Sequence, residues 1–269
     1  MRKTILSVSV AAALAIPVLA LAQTTAPAAA PAPTPSPFTG NAGLFSQYIF
    51  RGLTQTAGKP ALQGGADYAH SSGLYVGTWL SNVSWLQDLG IARESSLEWD
   101  MYGGYKGSFG SSDFGYDVGV LQYYYPGQRV PGAVTANTRE LYGALSWKWL
   151  SAKFSRTMTE KTFGVQNSKG TWYLDFTATV PVTDTISIVG HYGIQKYKGT
   201  SLLCANGQND SCASYKDYKI GASYSLPQSW TLGAYVTGTR MNSAEKLNYT
   251  VNGRELGNTA LTAYIQKTF

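Results

Sequence analysis

Charged residues are scarce in this sequence. Asp, Glu, Lys and Arg make up 13% of the 269 residues, about half of the roughly 25% typical of soluble globular domains. Cysteine and histidine are rarer still, with two of each, which leaves little material for a metal centre or a histidine-based catalytic site. The lysines and arginines do not cluster among aromatic residues, so nucleic acid is not an expected partner. A coiled coil, a disordered chain and an ordinary cytosolic enzyme are all disfavoured.

Tyrosine and glycine, by contrast, are abundant, with 19 and 29 copies, and aromatic residues reach 13%. Few charges combined with many tyrosines and glycines are typical of a β-protein that has one face against lipid and the other against water. Composition therefore favours a membrane β-barrel.

Only the N-terminus contains a long apolar run. Arg2 and Lys3 precede an apolar stretch over 5–22 that ends in Ala20-Leu21-Ala22. This pattern predicts a secretory signal peptide, 1–22, cleaved after Ala22, with an uncleaved membrane anchor as the alternative. Residues 23–39 are rich in Pro and Ala and predict a flexible lead. The folded domain is expected over 40–269, where no stretch approaches the length of a membrane-spanning helix.

The rest of the chain alternates between apolar and polar residues, which indicates β-strands. The clearest example has Trp172, Leu174 and Phe176 on one face, and Tyr173 and Asp175 on the other. Twelve strands are predicted, over 42–53, 61–69, 73–82, 96–107, 114–124, 138–148, 150–158, 170–181, 184–196, 216–226, 229–239 and 258–269.

The predicted connections alternate in length along the chain. Short ones at 70–73, 107–113, 149, 182–183 and 227–228 are interleaved with long ones at 83–95, 125–137, 159–169, 197–215 and 240–257. An outer-membrane barrel has short periplasmic turns and long outward loops, whereas a soluble sandwich or a lipocalin-like barrel, the alternative, has no reason to separate them. We therefore predict an all-β, antiparallel transmembrane barrel of about 12 strands.

Backbone chemistry explains why such a sheet must close. In hydrocarbon every N–H and C=O group has to be paired within the protein, and only a helix or a closed barrel achieves this. Tryptophan and tyrosine then collect at the two membrane interfaces. Trp147, Trp149, Trp172 and Trp230 all fall at predicted strand ends, as such girdles require.

Several segments in the first part of the predicted barrel carry a family resemblance. They are GNAGL at 40–44, SQYIFRG at 46–52, QT at 55–56, PALQGGADY at 60–68, GLYVGTWLSNV at 73–83 and EWDMYGG at 98–104. Together they resemble the TorF porin family of Gram-negative bacteria. The resemblance is specific in the first third of the barrel and diffuse beyond it. It implies an outer-membrane β-barrel of a Gram-negative bacterium with a role as a pore.

Strand parity assigns a set of charged residues to the lumen. If Trp172 and Leu174 face lipid, the opposite face carries Arg51, Asp67, Glu98, Asp100, Lys106, Asp117, Glu140, Lys148, Asp175, His191 and Lys219. One interpretation is a water-filled passage, in which mixed charges set ion preference during passive diffusion of small solutes or ions. The alternative is a set of salt bridges that plug a structural or surface-binding barrel, with loop residues such as Trp85, Tyr125, Arg129 and Arg240 as the binding surface.

An enzyme is not expected. His70 falls in a predicted periplasmic turn, and His191 faces inward beside Asp175, where it fits a polar network better than a hydrolase site. Cys204 and Cys212 lie in one exported loop and favour a disulfide over a metal site. No cofactor is implied, and the expected partners are outer-membrane lipid, the barrel-assembly machinery and small solutes or ions.

Overall fold

A computed structural model describes residues 36–202, 204 and 206–269. The predicted signal peptide and most of the predicted lead lie outside these residues, and both remain predictions. The first strand begins at Phe38.

Twelve strands form one closed antiparallel barrel, which confirms the predicted fold class and strand number. Each strand pairs with its neighbours in the chain, and the first strand pairs with the last to close the sheet. The strands are β1 (Phe38–Phe45), β2 (Ala61–Ala69), β3 (Leu74–Asn82), β4 (Leu97–Ser108), β5 (Phe114–Tyr124), β6 (Thr138–Trp147), β7 (Leu150–Thr157), β8 (Trp172–Pro181), β9 (Ile186–Lys196), β10 (Tyr215–Leu226), β11 (Trp230–Arg240) and β12 (Ala260–Thr268).

Alternation along each strand separates an apolar outside from a polar inside. On β12, Leu261 and Ile265 face outward and are exposed, whereas Thr262 and Tyr264 face the lumen and are buried. The period of two residues in a strand fixes this choice for every side chain once the register is set. Among the described residues, no helix is long and apolar enough to cross a membrane.

The connections divide between the two ends of the barrel as predicted. Short turns lie at one end, which we call the turn rim, over 70–73, 109–113, 148–149, 182–185 and 227–229, the last containing the 3-10 helix Pro227–Ser229. Long loops lie at the other end, the loop rim. They are L1 (46–60), L2 (83–96), L3 (125–137), L4 (158–171), L5 (197–214) and L6 (241–259).

The first predicted strand, 42–53, is wrong at its C-terminal end. The wall strand β1 ends at Phe45, and L1 turns inward as a small hairpin that pairs Ile49–Phe50 with Leu53–Thr54. Its two central residues, Arg51 and Gly52, have φ angles of 46° and 78°, as a tight two-residue hairpin turn requires. The hairpin therefore occupies the interior of the barrel instead of extending its wall.

The other loops carry short elements of their own. L2 contains helix α1 (Trp85–Asp88), L5 contains α2 (Asp210–Ala213) and L6 contains α3 (Ser243–Asn248). L6 also forms a small hairpin from Thr250–Val251 and Arg254–Glu255. Asn242 caps α3 in a capping box with Glu245, which fixes the start of that helix.

The apolar core lies in the loop-side half of the barrel. It is built from L1, L2, L3 and inward-facing aromatic residues of the wall. Its members are Phe45, Tyr48, Ile49, Phe50, Ala61, Val83, Trp85, Leu86, Ala92, Tyr123, Tyr125, Ala136, Tyr235 and Tyr264. The interior thus has two halves of different character, which set the geometry of the candidate site.

Candidate functional site

The L1 hairpin crosses the lumen from one wall to the other. It leaves the sheet between β1 and β2, and its tip reaches side chains of β6, β8 and β9 on the opposite side. At Gly52 an added Cβ would lie 2.6 Å from Cβ of Asp217 and 2.8 Å from Cγ2 of Thr239. Glycine is therefore required at the tip both for its backbone conformation and for the close approach to β10 and β11.

Arg51 anchors the hairpin tip. Its Nη2 donates to Oε2 of Glu140 at 2.7 Å and its Nη1 to Oε1 of Gln195 at 2.9 Å. The guanidinium carbon lies 4.2 Å from the ring centre of Tyr173 and 4.8 Å from that of Phe50. Arg51 and Glu140 are only 6% and 2% exposed, so each buried charge is compensated by the other.

A second buried carboxylate holds the base of the hairpin. Glu98 accepts a hydrogen bond from the Tyr48 hydroxyl at 2.6 Å and one from the Tyr125 hydroxyl at 2.8 Å. Tyr48 belongs to L1 and Tyr125 to L3, so one wall residue joins two loops. Asp100, two positions along β4, is also buried, and its Oδ1 has no hydrogen-bond partner among the described residues.

Midway along the lumen, His191 lies between two carboxylates. Its Nδ1 is 3.1 Å from Oδ2 of Asp175 on β8, and its Nε2 is 2.8 Å from Oδ1 of Asp217 on β10. Both ring nitrogens of His191 therefore lie within hydrogen-bond distance of a carboxylate oxygen. The Tyr173 hydroxyl also donates to Asp217, at 3.0 Å. Because the guanidinium of Arg51 packs on the Tyr173 ring, Tyr173 connects the His191 cluster to the hairpin tip.

The turn-side half of the lumen is lined by charges that remain partly exposed. The Tyr102 hydroxyl donates to Asp67 at 2.7 Å, and Lys106 lies directly across from Asp117 in the β4–β5 register. Tyr75 donates to Asp117 at 2.5 Å and also contacts the hydroxyl of Tyr142. Nζ of Lys153 lies 4.0 Å from the ring centre of Tyr142, and that of Lys219 lies 5.5 Å from the ring centre of Tyr235.

Inward tyrosines lie across glycines of the neighbouring strand. The directly paired positions are Tyr75 with Gly104, Tyr102 with Gly77, Tyr142 with Gly119, Tyr235 with Gly221 and Tyr264 with Gly233. At Gly119, an added Cβ would meet the Tyr142 hydroxyl at 2.5 Å. Because the partner has no side chain, each ring can lie along the wall, and this accounts for part of the tyrosine and glycine content.

The structure brings most of the predicted lumen residues into the interior. Ten of them lie there: Arg51, Asp67, Glu98, Asp100, Lys106, Asp117, Glu140, Asp175, His191 and Lys219. Arg51 reaches the lumen on the L1 hairpin and not on a wall strand. Lys148, by contrast, does not lie in the lumen. β6 ends at Trp147, and Lys148 occupies the turn with its side chain 51% exposed and its Nζ 3.8 Å from Oδ2 of Asp113.

Sequence reasoning also missed lumen residues. Lys153 shares the parity of Ser151 and Ser155 on β7, and Asp217 shares that of Lys219 on β10. Applying the alternation to every charged residue of these two strands would have found both.

The loops fold over the loop-side core. Trp85 and Tyr125, considered above as a possible binding surface, are buried with ring centres 5.4 Å apart. Cys204 and Cys212 form a disulfide within L5. Near it, partial burial acts to raise the pKa of Asp210, but hydrogen bonds from Lys196 and Ser214 outweigh burial and lower that pKa.

A closed barrel with an apolar outer band and a charged interior defines a membrane β-barrel of the porin fold. The chain resembles the KdgM porin, with a TM-score of 0.50 and 11% identity over 86% of this chain and 99% of that one. It also resembles the NanC porin, with a TM-score of 0.51 and 11% identity over 86% of this chain and 98% of that one. At this identity the likeness shows the fold alone.

A family match covers nearly all of the chain. Residues 29–269 match the family described as a bacterial protein of unknown function, Gcw_chp, and the chain belongs to that family. No curated protein matches the sequence. The resemblance to the TorF family remains a prediction.

Proposed function

We propose that this protein is an outer-membrane porin that admits small polar solutes or ions by passive diffusion, with the L1 hairpin as its constriction. The observation that carries the proposal is the run of charged and hydroxyl side chains that lines the lumen from the turn rim to Arg51. Ions cross low-dielectric barriers where fixed charges and hydrogen-bonding groups replace part of their hydration. In this proposal the chain has no catalytic role.

The route to the membrane is part of the same proposal. The chain is exported by its signal peptide, inserted into the outer membrane of a Gram-negative bacterium by the barrel-assembly machinery, and surrounded there by lipid. The exposed apolar side chains along the outside of the wall, such as Leu44, Ile220 and Leu261, support a lipid environment over a soluble lipocalin-like one.

A second candidate function is a plugged barrel with a structural role. The observation that favours it is the burial of the hairpin, because Tyr48, Phe50 and Arg51 are all nearly inaccessible. Twelve strands lie between the 8 that side chains fill and the 16 or more that leave a channel. The two functions therefore differ in whether anything passes the Arg51–Glu140 pair.

Single-channel recording in planar bilayers distinguishes the two. If L1 is the constriction, the wild-type protein gives small conductance steps and Arg51→Ala gives larger ones, because the guanidinium and its anchoring bonds are removed. Lys148→Ala is the matched control, since it removes one cation from an exposed turn and should leave the steps unchanged. Folded wild-type and Arg51→Ala proteins that are both silent would contradict the porin and support the plugged barrel.

A further inference from the structure

Five of the six consecutive strands from β6 to β11 carry an outward-facing cation at the loop rim. We call this set the cationic arc: Arg139 on β6, Arg156 on β7, Lys196 on β9, Lys216 on β10 and Arg240 on β11. On the intervening strand β8, Trp172 lies at the same level, because it pairs with Arg156 on one side and Lys196 on the other. The arc is therefore continuous across half of the barrel.

The cations stand at the edge of the apolar outer band. Two residues further into the membrane-facing part of β6, β7, β9 and β10, the same outward face carries an apolar or aromatic side chain, whereas β11 has Gly238 at that position. Leu141 follows Arg139, Phe154 precedes Arg156 and Tyr218 follows Lys216, and all three are exposed on the outside of the wall. A ligand that contacts both must combine an anionic group with an apolar body.

Most of the arc lacks an acidic partner. Lys196 pairs with Asp210, and Nε of Arg139 donates to the amide oxygen of Gln122. Within the described ranges, no carboxylate lies within ion-pair distance of Arg156, Lys216 or Arg240. Three exposed cations at an apolar boundary are thus available to a ligand.

The arc is not a general feature of the barrel's interfaces. On the remaining strands, β12 and β1 to β5, the outward positions at the same rim are uncharged: Leu261, Leu44, Leu62, Leu80, Asn82, Leu97, Trp99, Gln122 and Tyr124. The turn rim is mainly aromatic, with contacts such as Phe114 to Trp147 and Phe38 to Tyr68. The turn rim carries isolated cations, such as Lys148 and Lys267, whereas the continuous row of outward cations lies at the loop rim on one side of the barrel.

We propose that the cationic arc binds phosphorylated lipid of the leaflet at the loop rim, with the acyl chains packed on the apolar residues next to it. Arginine and lysine bind phosphate oxygens by charge-assisted hydrogen bonds, and the planar guanidinium can do so with two parallel bonds. A free anion would pair with the cations but make no contact with the apolar band, whereas a lipid would contact both. The proposal requires membrane insertion but not conduction, so a silent barrel does not contradict it.

Electron spin resonance of spin-labelled lipids tests the proposal on the full-length protein in phosphatidylcholine vesicles. Spin-labelled phosphatidic acid should associate several-fold more strongly with the barrel than spin-labelled phosphatidylcholine. Arg156→Gln with Lys216→Gln should remove most of that several-fold preference, because each cation near an anionic headgroup contributes to the attraction. The matched control, Lys148→Gln with Lys267→Gln, removes the same charge at the turn rim and should leave the preference intact.

Two results would overturn the proposal. One is a wild-type protein without preference for phosphatidic acid, and the other is an equal loss of preference in both double variants. Added salt gives an independent test that needs no substitution, because screening weakens exposed charge pairs. A preference in the wild-type protein that does not decline as salt is raised would also contradict a phosphate-binding arc.

Discussion

The two halves of the lumen contain similar side chains in different surroundings. In the loop-side half, Glu98 and Glu140 are almost fully buried, and the L1 hairpin supplies a partner to each. In the turn-side half, Asp67 and Asp117 keep part of their surface accessible. The wall pattern is the same in both halves, so the difference comes from the loop that folds into one of them.

This difference has an energetic consequence. A carboxylate with no access to water depends on its protein partners, because removing one of them leaves a buried charge uncompensated. A partly exposed carboxylate can exchange a lost partner for water at lower cost. Matched substitutions in the two halves should therefore have unequal effects.

The largest effect is expected at the Arg51–Glu140 pair. Arg51→Ala should lower the free energy of unfolding by about 3–5 kcal/mol, since Glu140 is left charged and unpaired. Arg51→Met combined with Glu140→Leu should cost less than Arg51→Ala, because both charges are then removed. Urea unfolding of the folded, reconstituted protein measures these values, and a double variant less stable than the single one would contradict the comparison.

A matched pair of tyrosines should give an intermediate effect. Tyr48→Phe removes a donor to the buried Glu98 and should cost about 1.5–3 kcal/mol, as for hydrogen bonds to charged groups. Tyr102→Phe removes the same kind of bond, to the partly exposed Asp67, and should cost about 1 kcal/mol or less. The same unfolding measurement compares them, and equal losses would show that the two halves do not differ in this respect.

The smallest effect is expected outside the lumen, at the ion pair between Lys196 and Asp210. Asp210→Asn should cost a few tenths of a kcal/mol at neutral pH, as for other exposed pairs. Because the pKa of Asp210 is lowered in the folded protein, its contribution is present above the carboxyl's ordinary range and lost as the pH falls through the lowered value. Wild type and variant should therefore converge in stability in acid, and a gap that widens there would contradict this assignment.

Much of the wall could be predicted from the sequence. Eleven of the predicted strands overlap their observed counterparts closely, because a residue on a closed sheet must alternate between lipid and lumen. The same parity predicted the contact between His191 and Asp175 on adjacent strands.

The contents of the lumen were harder to predict. Residues 46–53 include the strand-forming residues Tyr48, Ile49 and Phe50 and so are predicted to extend the first strand, and only Gly52 marks the turn that sends them inward. The partner of Arg51 lies 89 residues away on the opposite wall, so no local pattern could identify it. Lys148 shares the parity of Glu140, but the strand ends at Trp147, so Lys148 lies in the turn and the alternation no longer determines its direction.

The L1 hairpin is covalently attached to the wall at both ends, through β1 and β2. If the hairpin withdraws from the lumen, withdrawal and return are therefore unimolecular steps, whose rates do not depend on protein concentration. Attachment also keeps the effective concentration of the hairpin near its binding place high, so a modest set of contacts is sufficient to hold it there. A synthetic peptide copy of 46–60, added from outside, would have to reach that concentration to compete with it.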